Sequence, residues 1–146
     1  MNKIMRMIQD AKEYSFHFIG KFYKWGGDDP SGFDCSGFVI EVLKSVGILP
    51  KKGDWTAHGL YSTFKEFTVK TPEAGCLALW WNSSGTKIIH VEFCIDEYRT
   101  IGASGGGSST TNLEAAILQN AFIKIRPINY SRVGKVVFVN PFLSEI

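Results

Sequence analysis

KFYKWGGDDPSGFDCSGFVIEVLKSVG, residues 21–47, contains two patterns that meet at Cys35. Before Cys35 the stretch is dense in Gly, Asp, Pro and Ser and has no repeating hydrophobic period, so it reads as a structured loop carrying Phe22, Tyr23, Trp25 and Phe33. After it, Phe38, Val39, Val42, Leu43 and Val46 recur at three- and four-residue spacing, and Gly47 and Pro50 close the run. That spacing predicts a buried helix with Cys35 at its start.

Upstream, Ile4, Met7, Ile8, Ala11, Tyr14 or Ser15, and Phe18 form an amphipathic stripe, which predicts a helix over residues 2 to 19 ending near Gly20. Downstream, residues 51 to 74 mix polar and aromatic positions, with a short helix expected over 57 to 66. From Gly75 onward CLALWW, KIIHVEFCI, RTIGA, AFIKIRPI and KVVFVNPF are rich in β-branched and aromatic residues and read as strands. The glycine- and serine-rich GASGGGSSTTN reads as a flexible loop beside a site, because too little chain follows it to build another domain. The expectation is an α+β domain over residues 1–146, with its first 20 residues as an N-terminal helix and a sheet of about five antiparallel strands.

Composition narrows the function. A 146-residue chain with 45% hydrophobic residues has material for one core. A net charge of +2 with scattered Lys and Arg offers no basic stripe for nucleic acid. Cys35, Cys76 and Cys94 are too few and odd in number for a disulfide framework, and no CxxC pair or His/Cys cluster has zinc spacing, so free thiols and no metal are expected. Asp10, Lys12 and Glu13 interrupt the N-terminal apolar stretch before it reaches the length of a signal peptide or membrane span.

A cysteine at a helix N-terminus stands where unpaired N–H groups and the helix dipole favour an anion, and the same N–H groups can receive the oxyanion formed when a thiolate attacks an acyl carbon. Cys35 has that placement, with Asp34 before it and Ser36 and Gly37 after it. Burial as an ordinary helix residue is the alternative, and Cys76 and Cys94, inside apolar strand patterns, fit burial better. A thiol nucleophile needs a base within hydrogen-bond reach, and His90 interrupts an apolar strand. Alternation puts Ile88, His90 and Glu92 on one face and Ile89, Val91 and Phe93 on the other. His17 belongs to the N-terminal helix, and His58, in an irregular polar stretch, is expected to face solvent.

YKWGGDDPSGFDCSGFV, followed by IIHVEFCI, resembles the NlpC/P60 family of cell-wall cysteine peptidases, a branch of the papain-like superfamily, from about Lys21 to the last strand. The resemblance implies a papain-like fold in which Cys35 is the nucleophile and His90 the base. It also implies that the Tyr23 hydroxyl lies near the oxyanion, that Asp34 to Ser36 shape the pocket, and that no metal or cofactor is needed. The implied reaction is cleavage of a peptidoglycan stem peptide, commonly at the bond between D-glutamyl and a diamino acid. A protein made without a signal would reach such a wall by lysis, a secretion machine or a phage particle.

One position departs from the family. Where relatives place a third polar residue, often His in a context like Ile-His-Ala-Ser, this chain has Ile101, Gly102, Ala103 and Ser104. Gly102 cannot orient an imidazole. Glu92, on the face of His90, is the first substitute, and a backbone carbonyl, Ser104 or a water are the others. Two further readings stay open: an amidase or acyltransferase of papain-like fold, and a degenerate wall-binding or phage structural module. Trp25 and Trp55, in loops, are expected to approach the groove, whereas Trp80 and Trp81 alternate across a strand so that one faces inward.

Overall fold

A computed structural model describes residues 2–29, 32–107, 109–132 and 134–146. Pro30 and Ser31, in the loop before Cys35, and Ser108, in the glycine-serine loop, lie outside the described residues. Helix α1 (Lys3–Phe16) is capped by the Asn2 side chain, which accepts from the Met5 N–H. A two-residue hairpin, β1 (Asp28–Asp29) and β2 (Gly32–Phe33), leads into α2 (Cys35–Ser45). Helices α3 (Ala57–Phe64) and α4 (Leu113–Leu118) follow, with short 3-10 turns at Lys65–Phe67 and Pro141–Glu145.

The main sheet holds β3 (Thr68–Val69), β4 (Leu77–Trp81), β5 (Ile88–Cys94), β6 (Arg99–Ser104), β7 (Phe122–Pro127) and β8 (Val136–Val139), in the antiparallel order β3-β8-β4-β5-β6-β7. All five strands expected from sequence are present. The sixth, β3, is two residues long, too short for any periodic signal. Helix α4 also escaped the sequence reading; its six residues leave Leu113, Ile117 and Leu118 exposed, so there is no amphipathic stripe to detect.

Both faces of the central strands are buried. Leu77 and Leu79 of β4 join Val91 and Phe93 of β5 and the α2 residues Phe38, Val39, Val42 and Leu43 in the larger core, with Phe33 and Phe18 packed edge-on beside Phe38. On the opposite face Cys76, Ala78, Trp80 and Cys94 pack with Ile128 and Phe138. Burying a strand on both faces removes the simple polar alternation, and this explains why these segments read as nearly continuous apolar runs.

One register irregularity corrects the sequence reading of β5. Trp80 pairs with His90 but Trp81 pairs with Ile88, so Ile89 is an extra residue. The bulge turns Ile88 into the core that holds Val91 and Phe93 and leaves Ile89 exposed. Ile88 therefore does not share the His90 face, whereas Glu92 does.

Candidate active site

The helix that carries Cys35 starts where it does because Asp34 caps it. Asp34 Oδ1 accepts from the Gly37 N–H at 2.7 Å and from the Ser36 hydroxyl at 3.3 Å, and Oδ2 accepts from the Gly26 N–H at 3.0 Å. One carboxylate thus ties the Gly26–Gly27 turn to the first turn of α2. Burial pushes the Asp34 carboxyl up, although the N–H groups of Gly37 and Gly26 work against it. Gly37 is required by the same packing: a Cβ there would lie 2.1 Å from the Gly27 carbonyl oxygen. Asp34 and Ser36 therefore shape the pocket through the backbone that they hold, with the N–H groups of Cys35 and Ser36 at the helix end, where no intrahelical acceptor exists.

His90 comes from the middle of β5 and is 6% exposed. Its Nε2 lies 2.6 Å from Glu92 Oε2. An ionised carboxylate only accepts, so Nε2 carries the proton and Nδ1 is the nitrogen left to face Cys35, whose thiol bears on the ring. Trp80, directly across the ladder, stands with its ring 5.4 Å from the imidazole and is itself fixed by an Nε1–H bond to the Asn129 carbonyl at 2.8 Å. Burial lowers the His90 pKa, but hydrogen bonds to Cys35 and Glu92, with their charges, outweigh it and raise the imidazole to about 9.

Glu92 is 1% exposed. Its Oε1 accepts from the Thr100 hydroxyl at 2.6 Å and from Arg126 Nε at 3.3 Å, while Oε2 accepts from Arg126 Nη2 at 2.5 Å as well as from His90. Burial pushes this carboxyl up; His90 and Arg126 overcome it and hold it at about 2. Of the groups expected to orient the imidazole, Glu92 makes the contact and Ser104 does not: the Ser104 hydroxyl is buried without a partner among the described residues. Sequence reasoning missed Arg126, Thr100 and Trp80. They are brought to this point by strand register, with Thr100 opposite Arg126 and Trp80 opposite His90, and no local pattern announces it.

Above Cys35 a cleft of about 510 Å³ is lined by Tyr23, Trp25, Ser36, Asp54, Trp55 and Lys87 among others. Trp25 is 55% exposed, and Trp55 is half-buried with Lys44 Nζ 5.9 Å from its ring centroid. Tyr23 is buried beside Cys35; burial, then the charges of Cys35 and Asp34, push its phenol up and keep it a neutral donor. The glycine-serine loop does lie beside the site, with Gly106 against the Tyr23 ring and the Thr110 carbonyl accepting from the Trp25 N–H at 2.7 Å.

The remaining candidates fall away from the cleft floor. His58 is not solvent-facing as expected: its Nδ1 accepts from the Ile88 N–H at 3.0 Å and its ring packs near Tyr61 and Trp81, so it pins the start of β5. His17 caps the exposed end of α1. Trp80 is fully buried and Trp81 only partly. Cys76 and Cys94 are buried free thiols, and burial pushes both up, Cys76 to about 11. No cluster of His, Cys, Asp and Glu suited to a metal occurs among the described residues.

A helix-borne thiol, a strand-borne imidazole and a buried carboxylate stand together, an arrangement with which a proton can pass from sulfur to the imidazole. The NlpC/P60 family profile matches residues 20–127, and the chain belongs to that family. The probable endopeptidase p60 of Listeria innocua is 32% identical over 111 residues, which cover 75% of this chain and 22% of that protein. Protein P54 of Enterococcus faecium is 41% identical over 73 residues, 49% of this chain and 14% of that one. The chain therefore spans less than a quarter of either relative. The solved NlpC/p60 domain of peptidoglycan hydrolase SagA superposes with a TM-score of 0.65 at 26% identity, over 89% of this chain and 97% of that one.

Proposed function

We propose that this chain is a cysteine endopeptidase that hydrolyses peptidoglycan stem peptides at the cell wall, cutting between D-glutamyl and a diamino acid through a thioester. The observation that carries the reading is the set Cys35, His90 and Glu92, with Cys35 lining an open cleft and the buried His90 held by Glu92 beside it. The p60 relative, a probable endopeptidase, supports the reaction, and SagA, a peptidoglycan hydrolase, supports the substrate class.

His90 Nδ1 takes the Cys35 proton, and the thiolate attacks the scissile carbonyl carbon. The oxyanion is received by the first-turn N–H groups of α2 and the Tyr23 hydroxyl, donors set before the reaction begins. The imidazolium, held by Glu92, returns its proton to the leaving amine. A water deprotonated by the same imidazole then attacks the thioester and releases the acid and the free thiol. The degenerate-module reading loses support, because Glu92 supplies the orienting group that Gly102 lacks.

Mass spectrometry of purified peptidoglycan fragments, after incubation with wild type and with Cys35→Ala, tests the proposal. Fragments cut after D-glutamate with wild type alone are the expected result. Unchanged fragments with both proteins would exclude the peptidase reading, and cleavage at the amide joining peptide to sugar would turn it into an amidase.

A further inference from the structure

We propose that Arg126 is a positioning residue of the active site, acting through Glu92 on His90. The inference rests on the hydrolase reading for its reaction but on geometry for its substance.

Glu92 meets charged and polar groups from three strands. His90 and Cys94 share β5 with it, Thr100 comes from β6 and Arg126 from β7, while Cys35 from α2 faces the other side of His90. Arg126 grips both carboxylate oxygens, through Nη2 to Oε2 and Nε to Oε1, and Thr100 donates to Oε1. A fork of this kind fixes the carboxylate plane, and with it the direction from which Oε2 faces His90 Nε2. Charge supplies a second argument. With the thiol ionised and the imidazole protonated, the cluster reads −1 at Cys35, +1 at His90, −1 at Glu92 and +1 at Arg126, and sums to zero. Without Arg126 the buried group carries a net negative charge, which burial penalises and a proton relieves. Arg126 thus sets both the aim of the imidazole and the pH at which the site takes up a proton that stops it.

Gly102 makes room for this arrangement. It is the β6 residue paired with Lys124, two register positions from the Thr100–Arg126 pair, and the Glu92 side chain fills the space its missing side chain leaves. The orienting carboxylate therefore sits on the histidine's own strand, and the guanidinium anchors it from two strands away.

The test compares Arg126→Met and Arg126→Lys with wild type in the full chain, with Arg99→Met as a control that removes a surface Arg from its pair with Asp96. Two profiles are measured against pH: the alkylation rate of Cys35 by iodoacetamide, which needs no substrate, and kcat and KM on peptidoglycan fragments. Arg126→Met moves the acid limb of both profiles to higher pH and lowers kcat about tenfold or more, the scale on which outer partners of functional histidines act, with KM within about twofold. Arg126→Lys restores the charge and returns the limb towards wild type. An unmoved acid limb in folded Arg126→Met, or a Lys variant no better than Met, overturns the proposal. Should Arg126→Met not fold, Arg126→Gln takes its place beside Arg126→Lys, and an acid limb unmoved in folded Arg126→Gln would overturn the proposal. A wild type that cuts no peptidoglycan, combined with a shifted alkylation limb, defeats the substrate reading and leaves the role of Arg126 standing.

Discussion

The Glu92 side chain lies over Gly102: a Cβ built on that glycine would stand 2.6 Å from Glu92 Cγ and 3.1 Å from its Cβ. The contact explains how a chain with no side chain at position 102 still has an oriented histidine: the carboxylate on β5 occupies that space. The small residue and the long carboxylate are two halves of one arrangement.

Gly102→Ala is therefore expected to push Glu92 off His90. Overpacking at a buried strand position costs about 1–3 kcal/mol, and loss of the imidazole's partner lowers kcat by roughly tenfold. Thermal unfolding and steady-state kinetics on peptidoglycan fragments check the two effects separately. An alanine variant with wild-type kcat would mean that Glu92 does not need the space.

Stability should depend on pH through the His90–Glu92 pair. The folded pKa of His90 is raised from 6.5 to about 9, so its contribution is complete below 6.5 and is lost as pH rises towards 9. Glu92 is lowered from 4.5 to about 2, so its contribution is complete above 4.5 and is lost as pH falls towards 2. The pair's stabilisation is greatest between those limits. Tm measured across this range for wild type and Glu92→Gln should show a steeper acid-side fall in wild type; parallel curves would contradict the assignment.

Gly37→Ala is expected to damage fold and site together. The new methyl would meet a backbone carbonyl at 2.1 Å, and the Gly26–Gly27 turn can retreat only by giving up its bonds to Asp34. A loss of about 3 kcal/mol is expected, read by denaturant unfolding, with Cys35 alkylation slowed in the fraction that remains folded. A stable variant with unchanged alkylation would show that the turn and the helix end are independent.

Trp25→Ala should act on binding and spare the chemistry. The ring is more than half exposed on the cleft wall and supports no core cluster. About 1 kcal/mol of lost apolar contact corresponds to roughly a fivefold rise in KM, with kcat unchanged. A fall in kcat at constant KM would place Trp25 in the transition state.

The chain's local patterns determined what depends on neighbours along it. A capping acid, a thiol and a stripe at i, i+3/i+4 mark the start of α2 at Cys35 as printed in the sequence, and an imidazole in an apolar run marks His90 on β5. Alternation alone was enough to put Glu92 beside His90, because those two share a strand. It failed for Ile88, two residues the other way, because a bulge against Trp80 and Trp81 cannot be read from one strand. Tertiary structure alone decided that Arg126 and Thr100 close on Glu92, that Trp80 backs the imidazole, and that Gly102 is a space and not merely a loss. The reason is physical: register between strands distant in sequence is set by the packing of both sheet faces at once, and a charged cluster buried there is stable only when all its partners arrive together.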